Sequence, residues 1–187
     1  MRKFTMRSFL QLSMVMSLLL AISFQMNAQN SESDEPIITI KTNAYKNLGP
    51  TNMFSLVLGT IDAGNIIEVD TGYGRDEYEV NPAVYNEAEG SIVGTFIPCS
   101  VSDEGIVRIY GDPEKIDYIN ASGCYIETIE FPKLANLDIL ELSHNELKSI
   151  DVTNQTKLQA IYMSDNTFTK ETPLVIGYKP DLAILEV

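Results

Sequence analysis

The chain has 187 residues with 26 acidic and 13 basic side chains, a net charge of −13 at pH 7. Three of the basic groups lie in residues 1–28, which hold no acid, so the rest of the chain carries ten basic against 26 acidic groups, a net of −16. That balance excludes nucleic-acid binding, which needs a basic footprint for phosphates; 44% apolar residues exclude a disordered acidic tail, because a core can form.

In chain order, the first segment reads as an address. Arg2, Lys3 and Arg7 precede a largely apolar stretch from Phe9 to Phe24, and Met26-Asn27-Ala28 ends on a small residue suited to signal-peptidase cleavage. Residues 1–28 are expected to be a signal peptide, and residues 29–36 a polar, disordered linker. The protein is then exported to the periplasm, the cell surface or the medium. No cysteine adjoins the cut, so no lipid anchor is expected. A membrane span needs about 20 apolar residues, and no later segment supplies them. No membrane insertion is expected.

Residues 37–111 read as β-structure in short pieces. Ile37–Lys41, Met53–Leu58, Asn65–Asp70, Asp76–Val80, Ser91–Ile97 and Ile106–Tyr110 are rich in β-branched and aromatic residues, with glycine and proline between them. No stretch after residue 28 shows helical amphipathicity. The expectation is a small, sandwich-like β-module, with Ile106–Tyr110 as the strand that caps the second half.

Residues 112–187 carry a repeat. Ile116, Ile119, Ala121, Cys124, Ile126, Ile129 and Phe131 share a spacing with Leu137, Leu140, Leu142, Asn145, Leu147, Ile150 and Val152. The frame continues at Leu158, Ile161, Met163, Asn166 and Phe168, and resumes at Leu182, Leu185 and Val187. Starts at 116, 137 and 158 are 21 residues apart, and the last interval is 24. Repeats of this length stack, each copy pairing the backbone of the next. The pattern resembles the leucine-rich repeat family, in its short 21-residue bacterial class (LxxLxLxxNxLxxLDL). The resemblance implies a short solenoid of parallel strands at Tyr118–Ser122, Ile139–Ser143, Ala160–Ser164 and Ile184–Val187, capped by the β-module. It also implies a structural ladder of Cys124, Asn145 and Asn166, where the amides bond loop backbone.

The chemistry-bearing motifs are sparse. Val69-Asp70-Thr71-Gly72 spells the aspartic-protease triplet, but that chemistry needs two aspartates sharing a proton. Asp70 and the Gly94 of Ile92-Val93-Gly94 are too close in sequence for a barrel and flap to lie between them. A glycine turn is the simpler reading. Cys99 and Cys124 are the two cysteines; they form either a disulfide or buried thiols, and the inward ladder position of Cys124 favours thiols. One histidine, His144, and two cysteines make no zinc set. Asp70, Asp76, Glu77 and Glu79 read as a solvated acidic turn, lacking a calcium-loop pattern. No metal and no cofactor is expected.

What remains is the outward face of the repeat strands. Its expected ligand-binding residues are Tyr118, Asn120, Ile139, Glu141, Tyr162 and Ile184, an apolar column beside a polar one. The cover that competes with a ligand there is the long loop near Gly177–Pro180 or the first half of the chain. The expected function is non-catalytic recognition of a protein or glycan at the cell envelope or outside the cell. The alternatives are a hydrolase with its site near Asp70 and a truncated repeat protein without a ligand.

Overall fold

The strand-forming stretches build two main sheets, and both draw strands from each half of the chain. The structure, a computed structural model, describes residues 35–49, 52–131 and 134–187. The expected signal peptide and residues 29–34 of the linker lie outside the described residues. The first half contributes β1 (Ile38–Thr42), one helical turn α1 (Ala44–Asn47), β2 (Met53–Thr60), β3 (Asn65–Asp70), β4 (Arg75–Val80), β5 (Val84–Asn86), β6 (Ser91–Val93), β7 (Thr95–Ser100) and β8 (Ile106–Tyr110). The second half contributes β9 (Ile116–Asn120), β10 (Ile126–Glu130), β11 (Ile139–Glu141), β12 (Ile150–Asp151), β13 (Ala160–Tyr162), β14 (Leu174–Val175) and β15 (Ile184–Glu186). The fold is mainly β. No helix among the described residues is long and apolar enough to cross a membrane.

One sheet has five antiparallel strands in the order β10-β1-β8-β3-β4. The other has six, in the order β15-β13-β11-β9-β2-β7. In the second sheet β9, β11, β13 and β15 are parallel and in register, with Tyr118, Ile139, Ala160 and Ile184 side by side. The expected boundary at residues 111 and 112 is therefore no break, because β1 pairs with β10 and β2 with β9. The expected capping strand is also corrected. Ile106–Tyr110 pairs with β1 and β3 in the other sheet, and β2 flanks the first parallel strand instead.

The inward residues of both sheets join one buried cluster, from Ile38 and Ile40 through Leu56, Ile97 and Ile109 to Leu140 and Ile161. Shared burial of this kind is the main term holding such a fold together. The stretch expected as one strand, Ser91–Ile97, is broken into β6 and β7 at Gly94. A Cβ there would sit 2.6 Å from the Leu58 carbonyl oxygen, so only glycine allows β2 to approach so closely.

The turns after the parallel strands are stitched by side-chain amides. Asn145 Oδ1 accepts from the backbone N–H groups of Cys124 and Ile126, both at 3.0 Å, while Nδ2 donates to Ala121 and Leu142 oxygens at 2.9 Å. Asn166 repeats this one turn on, accepting from Leu147 N and donating to Leu142 and Met163 oxygens. Each amide thus ties its own turn to the preceding one. Cys124, equivalent in spacing, has β2 as its neighbour instead of another turn, and its thiol donates to Ser55 O at 3.3 Å. The residue before each ladder position has a left-handed backbone: Gly123, His144 and Asp165, with φ of 68°, 58° and 56°. The longer last interval forms β14 beside β12, and the Lys179 ammonium donates to Val152 O at 2.7 Å and to Ile176 O. That loop packs on Val152 and Thr153, away from the residues expected to bind.

Candidate functional site

Register across the six-stranded sheet lines up two outward rows. One runs Phe96, Val57, Asn120, Glu141, Tyr162, Glu186. Beside it run Gly59, Tyr118, Ile139, Ala160 and Ile184. The six residues expected from sequence to bind a ligand all fall in these rows, but the rows differ in access.

Tyr118 is 3% exposed and Ala160 6%, whereas Ile184 is 40% exposed. The expectation that Tyr118 stands open to solvent is corrected, and so is the continuous apolar column. The cover comes from the first half of the chain. Ala83 and Ile92, on the β5–β6 hairpin and its approach, lie over Tyr118 and Ile139 and leave a gap of about 90 Å³. Gly59 makes room for this: a Cβ at that position would stand 2.7 Å from Ala83 Cβ and 2.9 Å from Tyr118 Cβ.

The other row stays accessible and is organised by hydrogen bonds. The Tyr118 hydroxyl donates to Glu141 Oε1 at 3.0 Å, and Asn120 Nδ2 donates to Glu141 Oε2 at 2.8 Å. Asn120 Oδ1 in turn accepts from Ser122 N at 3.0 Å. The partly buried carboxylate is therefore held by two donors on the neighbouring strand. Burial raises the Glu141 carboxyl above its ordinary range, against the Tyr118 hydrogen bond, which lowers it. Burial raises the Tyr162 phenol, helped by the Glu141 and Glu186 carboxylates on either side. At the far end Phe96 is 61% exposed. Sequence reasoning missed Phe96 and Val57. The in–out alternation of Phe96, Ile97, Pro98 and Cys99 was visible, but nothing local indicated that β7 and β2 extend the repeat face.

A cavity of about 350 Å³ opens at the start of the parallel strands, lined by Asp117, Asp138, Gln159, Asp181, Lys157 and Ile61 among others. Asp117 and Asp138 also line the smaller gap under the hairpin. In each of them Oδ1 is sealed from solvent and has no hydrogen-bond partner among the described residues. Burial raises both carboxyls, against a hydrogen bond from the Gln159 side chain at Asp138 and from its own backbone at Asp117, and the charge at Asp138 raises Asp117 further. The two aspartates hold equivalent positions in successive repeats, just before Tyr118 and Ile139, and sequence reasoning passed over them.

The motifs considered for catalysis sit elsewhere. Asp70 closes its own turn, accepting from Gly72 N at 2.8 Å, and its other oxygen lies 3.8 Å from the Arg108 guanidinium. Cys99 and Cys124 are both free and buried, and burial pushes each thiol up to about 12. Asp76, Glu77 and Glu79 are spread along β4 opposite Val69, Glu68 and Ile66. Among the described residues no three acidic, histidine or cysteine side chains are grouped closely enough to hold a metal ion. No protein-family model, curated protein or solved structure matches the chain.

Proposed function

We propose that the chain is an exported, non-catalytic binding protein that recognises a protein or glycan with the outward face of its parallel strands. The repeat spacing, the in-register strands and the amides of Asn145 and Asn166 support placing residues 112–187 with short leucine-rich repeats. Export rests on the cationic start and apolar stretch of residues 1–28.

The observation that carries the binding role is the accessible row from Phe96 to Glu186. Aromatic side chains flank a hydrogen-bonded Asn120–Glu141 pair whose geometry is set in advance by buried Tyr118. Pre-set polar groups between exposed aromatics are how recognition surfaces gain specificity without a large ordering cost. A hydrolase centred on Asp70 has weaker support, since that carboxylate is engaged by its own turn and by Arg108. The test is binding of the full chain to glycan and peptide arrays. A ligand whose signal is lost in Tyr162→Ala, with folding intact by circular dichroism, supports the proposal; ligands indifferent to Tyr162→Ala and Phe96→Ala overturn it.

A further inference from the structure

We propose that the β5–β6 hairpin is a lid on the outward face, lifting on hinges at Pro82 and Gly94 to uncover Tyr118 and Ile139 for a ligand. This rests on the binding role proposed above and adds control of access to that site.

The hairpin is tied to itself more than to the sheet. Val84, Tyr85 and Asn86 pair with Val93, Ile92 and Ser91 in a two-stranded sheet of their own. Asn86 closes the turn, its backbone oxygen accepting from Glu89 N and Gly90 N and its Oδ1 from Ala88 N. The anchoring hydrogen bonds among the described residues lie at the base. Asn81 O accepts from Thr60 N at 3.4 Å, and Asn81 N donates to Thr95 Oγ1 at 3.1 Å. Pro82 follows that base on the way out, and Gly94 precedes it on the way back. Beyond the base, Ala83 and Ile92 meet the sheet, and both are only half-buried. Val84, Tyr85 and Val93 are exposed.

The contact is also incomplete. It leaves the gap of about 90 Å³ over Tyr118 and Ile139, where close packing would leave little. A two-stranded hairpin with so little buried apolar surface is marginal by itself, and such segments open locally while the rest of a fold stays intact. The surface beneath is the reverse, since Tyr118 lies on β9, paired on both sides by β2 and β11. Lifting the hairpin therefore exposes an ordered face. It joins Tyr118 and Ile139 to Asn120, Glu141 and Tyr162 in the accessible row beside them. A site open in only a fraction of chains binds more weakly by that fraction, so the hairpin sets the apparent affinity.

The test is hydrogen–deuterium exchange of the full chain, read by mass spectrometry, with Nile red fluorescence reporting uncovered apolar surface. In the parent, amides of residues 84–93 are expected to exchange about tenfold or more faster than those of β2 and β9. Gly59→Ala places a Cβ 2.7 Å from Ala83 Cβ and wedges the hairpin off. Ile92→Ala removes one of the two contacts and leaves the sheet unaltered. In both, hairpin exchange is expected to quicken about tenfold and Nile red emission to rise, with β2 and β9 exchanging as in the parent. Should Gly59→Ala not fold, Ile92→Ala alone gives the reading. Arrayed peptides or glycans that bind the parent are expected to bind Ile92→Ala more tightly. Three results overturn the lid and leave the binding role standing: hairpin amides as slow as those of β2 and β9, variants that leave the hairpin unchanged or loosen the sheet equally, and equal ligand binding with the hairpin lifted. A hairpin that lifts in a chain binding no arrayed ligand in either form overturns the binding role, and the control of access with it.

Discussion

Tyr118 donates its phenolic hydrogen to Glu141, 23 residues further along the chain, across a 3.0 Å contact between adjacent parallel strands. The ring is buried under Ala83 and Ile92 while its hydroxyl holds a carboxylate in the accessible row. Tyr118 thus links the hairpin of the first half to the accessible outward row of the second. Its role is to position Glu141, with no need to touch a ligand.

Tyr118→Phe tests that role. It keeps the packing but removes one of the two donors to Glu141, and a lost hydrogen bond to a partly buried carboxylate costs about 1–2 kcal/mol. Urea unfolding is expected to show that loss, with ligand binding weakened without being abolished. A variant as stable as the parent, with unchanged binding, contradicts the positioning role.

Asn145→Ala is expected to be among the most damaging single changes in the repeat region. It leaves the N–H groups of Cys124 and Ile126 and the oxygens of Ala121 and Leu142 without their side-chain partner. Several orphaned buried groups place the loss at about 2–4 kcal/mol. Asn166→Ala, whose amide is less deeply buried, is expected to cost less by the same urea measurement. The reverse order contradicts the ladder as described.

The two thiols are expected to be inert in the folded chain. The thiolate is the reactive form, and burial holds Cys99 and Cys124 up at about 12. Ellman's reagent added to the native chain is expected to find no reactive thiol, and after denaturation two. No thiol after denaturation points to a disulfide instead; rapid reaction of the native chain contradicts the burial.

The pH dependence of stability has a definite sign. Asp117, Asp138 and Glu141 are held above the ordinary carboxylate range, chiefly by burial. The folded chain keeps these protons where the unfolded chain has released them, so their contribution to stability falls as the pH rises through the folded values. Asp62 and Asp151 are lowered by their hydrogen bonds and act in the opposite direction. The informative quantity is the difference between Asp117→Asn/Asp138→Asn and the parent. The variant's advantage in urea midpoint is expected to grow from about pH 4 to about pH 7; a difference that does not change with pH contradicts the shifts.

The repeat register could be read from spacing, because a constant period aligns Tyr118, Ile139 and Ala160 wherever the strands stack. The turn chemistry was equally visible in Asn145 and Asn166, whose side chains bond residues at fixed offsets. The cover over Tyr118 was not visible. It depends on β2 pairing with β9, far along the chain, and on Gly59 and Ala83 being small enough to nest there. Nothing in a local pattern encodes a contact between residues so widely separated, and for the same reason Phe96 was not seen as part of the face. Asp117 and Asp138 occupied variable positions of the repeat, and only their enclosure gives them significance.

Whether a partner sits on the outward face is read most directly by photocrosslinking from within it. Full chains carrying Phe96→p-benzoylphenylalanine or Tyr162→p-benzoylphenylalanine are irradiated with cell-surface proteins, beside a chain with the same substitution at exposed Tyr73. The expected result is a common adduct from positions 96 and 162, and none from position 73. Adducts from position 73 alone, or the same adduct from all three positions, would contradict a binding role for this face.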